Sequence, residues 1–194
     1  KVLQVGAFFL HNTDMKIKNH LLEDIKFLSS PNFNERSSEN NISLIVLHSI
    51  SLPPTVFGNN YVEDFFTNNL PKTKHDYLNN IRKLKVSSHI YIKRTGEIVQ
   101  FVPFDKRSWH AGESSFENLA DCNDYSIGIE LEGCDDIAFE DIQYFKLAEV
   151  INCLIGNYKS LTPERIVSHS DIAPNRKTDP GPLFDWKRLK TMIK

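Results

Sequence analysis

The run from Ile42 into His48 is apolar and rich in β-branched residues up to Leu47, interrupted only by Ser43. Such a run reads as a buried strand, which requires a sheet covered on both sides. Residues 140–158 add a second constraint. Tyr144, Leu147, Ala148, Ile151, Leu154, Ile155 and Tyr158 recur at helical spacing, so one side of a long helix is apolar, and Gly156-Asn157 can end it. Val86–Lys93 and Glu97–Val102 flank Gly96 as the two arms of a β-hairpin, and Arg165–Val167 reads as a short strand leading into His169. In the strand predicted over Tyr125–Glu132, Ile127, Ile129 and Leu131 alternate with Gly128, Glu130 and Glu132, which turns Glu130 away from the apolar side. Short helices are predicted over Asn19–Leu28 and Tyr61–Phe66. A last helix, capped by Asp185, presents Trp186, Leu189 and Ile193. Strands interspersed with helices predict a mixed α/β domain, a central mixed sheet flanked by helices.

At 194 residues the chain holds one domain with a sizeable core. A formal charge of −2 without a long basic run argues against nucleic acid or an anionic membrane as the main partner. No apolar run reaches the roughly 18 residues of a spanning helix. The three cysteines, Cys122, Cys134 and Cys153, are odd in number and form no C-x-x-C pair, which suits a reducing compartment better than a disulfide framework. Cys153 falls in the apolar helix and reads as a small core residue. Residues 1–10 have the polarity of a signal-peptide core, but His11–Asp14 is no small-residue cleavage site. Met15 reads as a plausible start, residues 1–14 as an extension outside the fold, and 15–194 as the domain; a degraded export signal is the competing reading. Residues 29–41 read as an exposed loop. Residues 51–85, apart from the short helix, form an irregular stretch too long to be idle in a compact domain.

Catalytic zinc takes three protein ligands, commonly His and carboxylate, and keeps a fourth position open. His48, His169 and Asp179 are candidates because each lies at or past the end of a predicted strand. The segment Val167–Pro182 is nearly all turn-formers and can fold back so that His169 and Asp179 reach one ion. Spacing of this looseness is by itself weak, since a lone strand-end histidine is more often a hydrogen-bonded core or surface residue.

A set of ordered motifs carries more weight. Ile45–Pro54 around His48, Val86–His89, Gly96–Gln100, Val102–Arg107, Trp109–Gly112, Cys122–Asp124, Ser126–Gly133 and Ile172–Pro182 together resemble the AmpD-type 1,6-anhydro-N-acetylmuramyl-L-alanine amidases. The resemblance runs in order from about residue 17 to Trp186. It implies the peptidoglycan-recognition-protein-like zinc amidase fold. It also implies hydrolysis of the amide between N-acetylmuramic acid and L-alanine in soluble anhydro-muropeptides. In the wider amidase group the third ligand is often Cys; Asp179 points to the AmpD-type branch.

By the same resemblance His48, His169 and Asp179 bind Zn2+, Glu130 is the general base, and Lys177 stabilises the oxyanion. Read only as residues, Glu130 can equally be an ordinary alternating strand glutamate and Lys177 a solvated loop lysine. Tyr77, Lys85, Trp109, His110 and Ser49 match substrate-contacting positions. Lys85 stands where Arg is usual and grips a carboxylate less well. Ser49 stands where Asn is usual. His89, inside a strand, is expected to be structural. The implied protein is a cytoplasmic monomer acting in cell-wall recycling. A secreted amidase working on intact peptidoglycan and a non-catalytic peptidoglycan-binding module are the alternatives.

Overall fold

The computed structural model describes residues 15–37 and 42–194, so the expected extension 1–14 lies outside the described residues. The centre is a six-stranded mixed sheet. Its strands are β1 (Lys26–Phe27), β2 (Leu44–Ile50), β3 (Ile90–Ile92), β4 (Ile98–Gln100), β5 (Ser126–Glu132) and β6 (Ile166–Ser168). They lie in the order β6-β2-β5-β3-β4-β1. Strands β6, β2, β5 and β3 are parallel, β3 and β4 are antiparallel, and β1 runs parallel to β4. The expected hairpin about Gly96 is β3–β4, with Gly96 at φ +84° in the turn. The fold class is thus as expected from the sequence.

Both faces of the sheet are covered, which is why every residue of β5 and the first five of β2 are buried. On one face Ile45, Leu47, Ile127, Ile129 and Leu131 pack under α3 (Asp141–Asn157) through Leu147, Ile151 and Leu154. Cys153 is buried on the same helix. The Gln143 side chain accepts the amide of Glu140 and donates to the carbonyls of Ile92 and Glu132, tying the helix start to two strand ends. The last helix, α5 (Trp186–Met192), begins where Asp185 caps the Arg188 amide and buries Leu189 beside α3.

The opposite face is covered by the segment 51–85 and by the loops around 107–125. Segment 51–85 holds the expected helix α1 (Tyr61–Phe66) and an unexpected one, α2 (Asp76–Ile81). Val62, Phe65, Phe66, Leu70 and Leu78 pack it against Tyr91, Val99 and Phe101 of the sheet. Two polar links also hold it: Gly58 donates to Glu132, and Lys93 pairs with the buried Glu63 at 2.6 Å.

Three local expectations are corrected. Residues 19–28 are not helical: Ile17–Lys18 pairs with Leu21–Leu22 around Asn19 and His20, both at positive φ, and Lys26–Phe27 joins the sheet edge. The apolar spacing there fits a helix, but two consecutive left-handed residues make a tight hairpin turn, and the open edge of β4 supplies backbone partners. The loop predicted over 29–41 contains Phe33–Glu35, paired with Lys106–Ser108, and a buried Arg36 whose guanidinium donates to four backbone carbonyls. Within the turn-rich segment 167–182, His169–Ile172 forms a single helical turn, α4.

Candidate metal centre

The parallel register sets the site in one row. Glu130 on β5 stands directly opposite His48 on β2. Ser168 of β6 pairs with Leu47, so His169, one residue beyond the strand, falls beside His48. His48, Glu130 and His169 therefore meet at the carboxyl ends of three adjacent parallel strands, where open α/β sheets place their ligands.

Local chemistry brings Asp179 to the same point. The Ser168 hydroxyl accepts the amide of Asp171, and the Asp171 carboxylate accepts the amide of Ser168. This reciprocal cap turns the chain sharply from β6 into α4. The loop then folds back, held by the Ser170 amide on the Asp179 carbonyl at 3.2 Å. Gly181 lets it lie against Asp135, because an added Cβ would come within 2.7 Å of the Asp135 backbone. Asp179 Oδ2 ends 3.1 Å from His48 Nδ1 and 3.0 Å from His169 Nδ1, and the two Nδ1 atoms are 2.9 Å apart. Among the described residues this is the one His/Cys/Asp/Glu group close enough to share an ion.

These atoms fit a cation. His169 Nε2 lies 3.0 Å from the Ala111 carbonyl, which can only accept, so that nitrogen carries the hydrogen and Nδ1 is bare. Burial pushes the pKa of His48 down to about 4, so it is neutral near pH 7. Two neutral imidazoles and a carboxylate converging on one point form a donor set suited to zinc.

Glu130 is 8% exposed, and its Oε2 hydrogen-bonds to no group among the described residues. Burial, with the Asp179 charge adding to it, raises its pKa well above the ordinary value, and the Lys177 charge works the other way. It is therefore no ordinary solvent-facing strand glutamate: the side of β5 that carries it is covered, and the residue lines the cleft. Lys177 is exposed on the rim, near enough to act electrostatically on both Glu130 and His48.

The cleft has a volume of about 650 Å³. Ser49, Tyr77, Trp109 and His110 line it with the three candidate ligands, Glu130 and Lys177. Lys85 is exposed but does not line it; its neighbours Leu84 and Val86 do. The Trp109 indole donates to Asn34 at 2.6 Å. His110 is not free for a ligand, since both ring nitrogens face protein groups. His89 is structural, though it stands just before β3 rather than inside a strand: its Nδ1 accepts the amide of Gly128 and its Nε2 meets the Lys106 carbonyl. The sequence reading missed Arg176, which lines the cleft and donates to the carbonyls of Ala111 and Glu113. It precedes Lys177 in a turn-rich stretch, where no periodicity singles out one residue.

The comparisons with known proteins agree with this geometry. Residues 38–182 match the family model described as N-acetylmuramoyl-L-alanine amidase. The chain is 47% identical over 178 residues to the 1,6-anhydro-N-acetylmuramyl-L-alanine amidase AmpD of Haemophilus influenzae, covering 92% of this chain and 97% of that one. It superposes on a crystal structure of a selenomethionine AmpD derivative with a TM-score of 0.90 at 46% identity, covering 93% and 100% of the two chains. A more distant neighbour is the Escherichia coli amidase AmiD, solved with anhydro-N-acetylmuramic acid-L-Ala-D-γ-Glu-L-Lys: 28% identity, TM-score 0.58, covering 92% and 65% of the chains. The chain belongs to the N-acetylmuramoyl-L-alanine amidase family.

Proposed function

We propose that this protein hydrolyses the amide between 1,6-anhydro-N-acetylmuramic acid and L-alanine in soluble muropeptides, as a recycling amidase of the cytoplasm. The observation that carries the reading is the row of His48, His169 and Asp179 beside a buried, unpartnered Glu130 in a chain this similar to AmpD amidases. Three free cysteines, two of them buried, suit a reducing compartment.

His48, His169 and Asp179 would hold zinc, which supplies Lewis acidity: it acidifies water and polarises an amide carbonyl. Glu130 takes the proton of the attacking water and returns it to the leaving amine of L-alanine. Its raised pKa makes it a stronger base than an exposed glutamate and lets it hold the proton between the two steps. Lys177 sets its positive charge toward the oxyanion that develops on the carbonyl. Tyr77, Trp109 and Ser49 line the approach for sugar and stem peptide, and Lys85, exposed between the cleft-lining Leu84 and Val86, offers a cation to a stem carboxylate.

The catalytic domain in this reading is 15–194, with residues 1–14 outside it. Removing 1–14 is expected to leave activity and melting temperature unchanged; a large drop in either would place them in the domain.

The test is kcat/KM on a purified anhydro-muropeptide and on its reducing-end counterpart, with release of peptide from insoluble sacculi. A clear preference for the anhydro-muropeptide is expected. Equal efficiency on all three substrates would overturn the recycling assignment and favour an amidase of the intact wall.

A further inference from the structure

We infer that the loop residues His110 and Ala111, clasped by Asn123, form a positioning element that sets the ring tautomer of both histidine ligands, His110 acting on His48 with Ser126 behind it. This rests on the amidase reading above and deepens it. The argument begins at a carbonyl. Cys122 C=O can only accept, and the Ser126 hydroxyl donates to it at 2.5 Å. The Ser126 hydrogen is thereby committed, so its oxygen faces His110 Nε2, 3.1 Å away, as an acceptor. His110 Nε2 carries the hydrogen. The ring is enclosed, with two other imidazoles, His48 and His89, at centroid distances of 5.0 and 5.9 Å. With its hydrogen on Nε2 committed to Ser126, the ring offers Nδ1 as its acceptor, and His48 Nε2 donates to it at 2.9 Å. His48 is left with a bare Nδ1, the atom that faces Asp179 and His169.

The next residue does the same for the second ligand. The Ala111 carbonyl accepts from His169 Nε2 at 3.0 Å, and Arg176 donates to that carbonyl from the other side. One atom steadies both acceptors: Asn123 Oδ1 accepts the amides of His110 and Ala111, at 3.0 and 2.8 Å. The floor under the His110 ring is Gly128, where an added Cβ would stand 2.4 Å from the His110 Cγ. Ser126, Gly128 and Glu130 follow at every second residue of β5 and share one side of it. That side thus supplies the end of the relay, the room for the ring and the candidate base. Partners of this kind around a metal orient its ligands, and their loss typically costs 10–100-fold in affinity or activity, roughly.

The test reads the ligands rather than turnover. In metal-free protein, long-range 15N–1H spectra should show His48 and His169 both as Nε2–H tautomers. Chelator competition should show zinc affinity falling about 10–100-fold in His110→Leu and in Gly128→Ala, which displaces the ring without changing its chemistry. His110→Asn, whose Oδ1 can take the place of Nδ1, should recover most of that loss. Wild-type zinc affinity in His110→Leu, no recovery in His110→Asn, or a wild-type His48 in the Nδ1–H form would each overturn the inference. Should His110→Leu fail to fold, Ser126→Ala decides: an unchanged His48 tautomer and unchanged zinc affinity would refute the relay. A protein that binds zinc with the expected tautomers yet cleaves no muramyl amide would refute the amidase reading and leave this inference standing.

Discussion

Glu130 shows how one residue can be recruited without changing its place in the alternation of a strand. It sits at the fifth position of β5, beside His48 in register, and is buried there. Because it is not among the converging ligand atoms, Glu130→Ala is expected to keep zinc stoichiometry near one per chain and to lower turnover by about 10²–10⁴-fold, the usual span for a general base. Zinc analysis alongside kcat checks this; loss of the metal with recovery of rate on adding zinc would reassign the residue. Asp179→Ala should do the reverse. It removes the anionic member of the donor set, so the variant should be purified without zinc and without activity, and chelation of the wild-type protein should abolish turnover that zinc then restores.

At the scale of elements, β5 is the organising piece. One side carries Ile127, Ile129 and Leu131 into the core under α3, and the other carries Ser126, Gly128 and Glu130 into the site. Packing on the first side holds the register on which the second depends, since a slip by one residue would exchange the two sides. Leu147 of α3 is fully buried in that core. Leu147→Ala should destabilise the fold by about 2–5 kcal/mol, read from urea unfolding. Asp185→Ala, which removes only the cap of α5, should cost about 0.5–2 kcal/mol. If the cap variant proved the more damaging, the core would not lie where the burial places it.

For the whole molecule, the enclosed histidines tie stability to pH. Burial, reinforced by the Arg36 charge, pushes the pKa of His89 down to about 3, against the pull of the Lys106 carbonyl. His48 is lowered to about 4, and His110 is lowered too, again chiefly by burial. In the unfolded chain each titrates near 6.5, roughly. Below that pH the unfolded chain takes up protons that the folded chain refuses. The stability these neutral rings contribute is therefore complete above about pH 6.5 and is lost progressively as pH falls toward the folded values. The metal-free protein should show a urea midpoint that is nearly level down to about pH 6.5 and then falls steadily to about pH 5. A flat midpoint over that range would mean that the rings are not enclosed as described.

What the amino-acid sequence determined by itself is whatever rests on local period or ordered motif. The apolar run into β2, the helical spacing of α3, the hairpin about Gly96 and the α5 cap are of the first kind, and each formed near its expected bounds. His48, His169, Asp179 and Glu130 are of the second kind: spacing alone left them open, the motifs singled them out, and the fold brings them into one row. The tertiary structure decided the rest. The start of the chain shows why: its apolar spacing suits a helix, yet left-handed Asn19 and His20 and the free edge of β4 make it hairpin and strand. The supporting partners lay equally out of reach. Asn123, Ser126 and Gly128 fall inside matched motifs, but which groups they meet shows only once β5 and the His110 loop are stacked, because a hydrogen bond between groups distant in the chain leaves no periodic trace in it. Period and motif are local properties that a single strand of text can carry; which acceptor faces which imidazole is settled only when the sheet closes its register and the loops pack down on it.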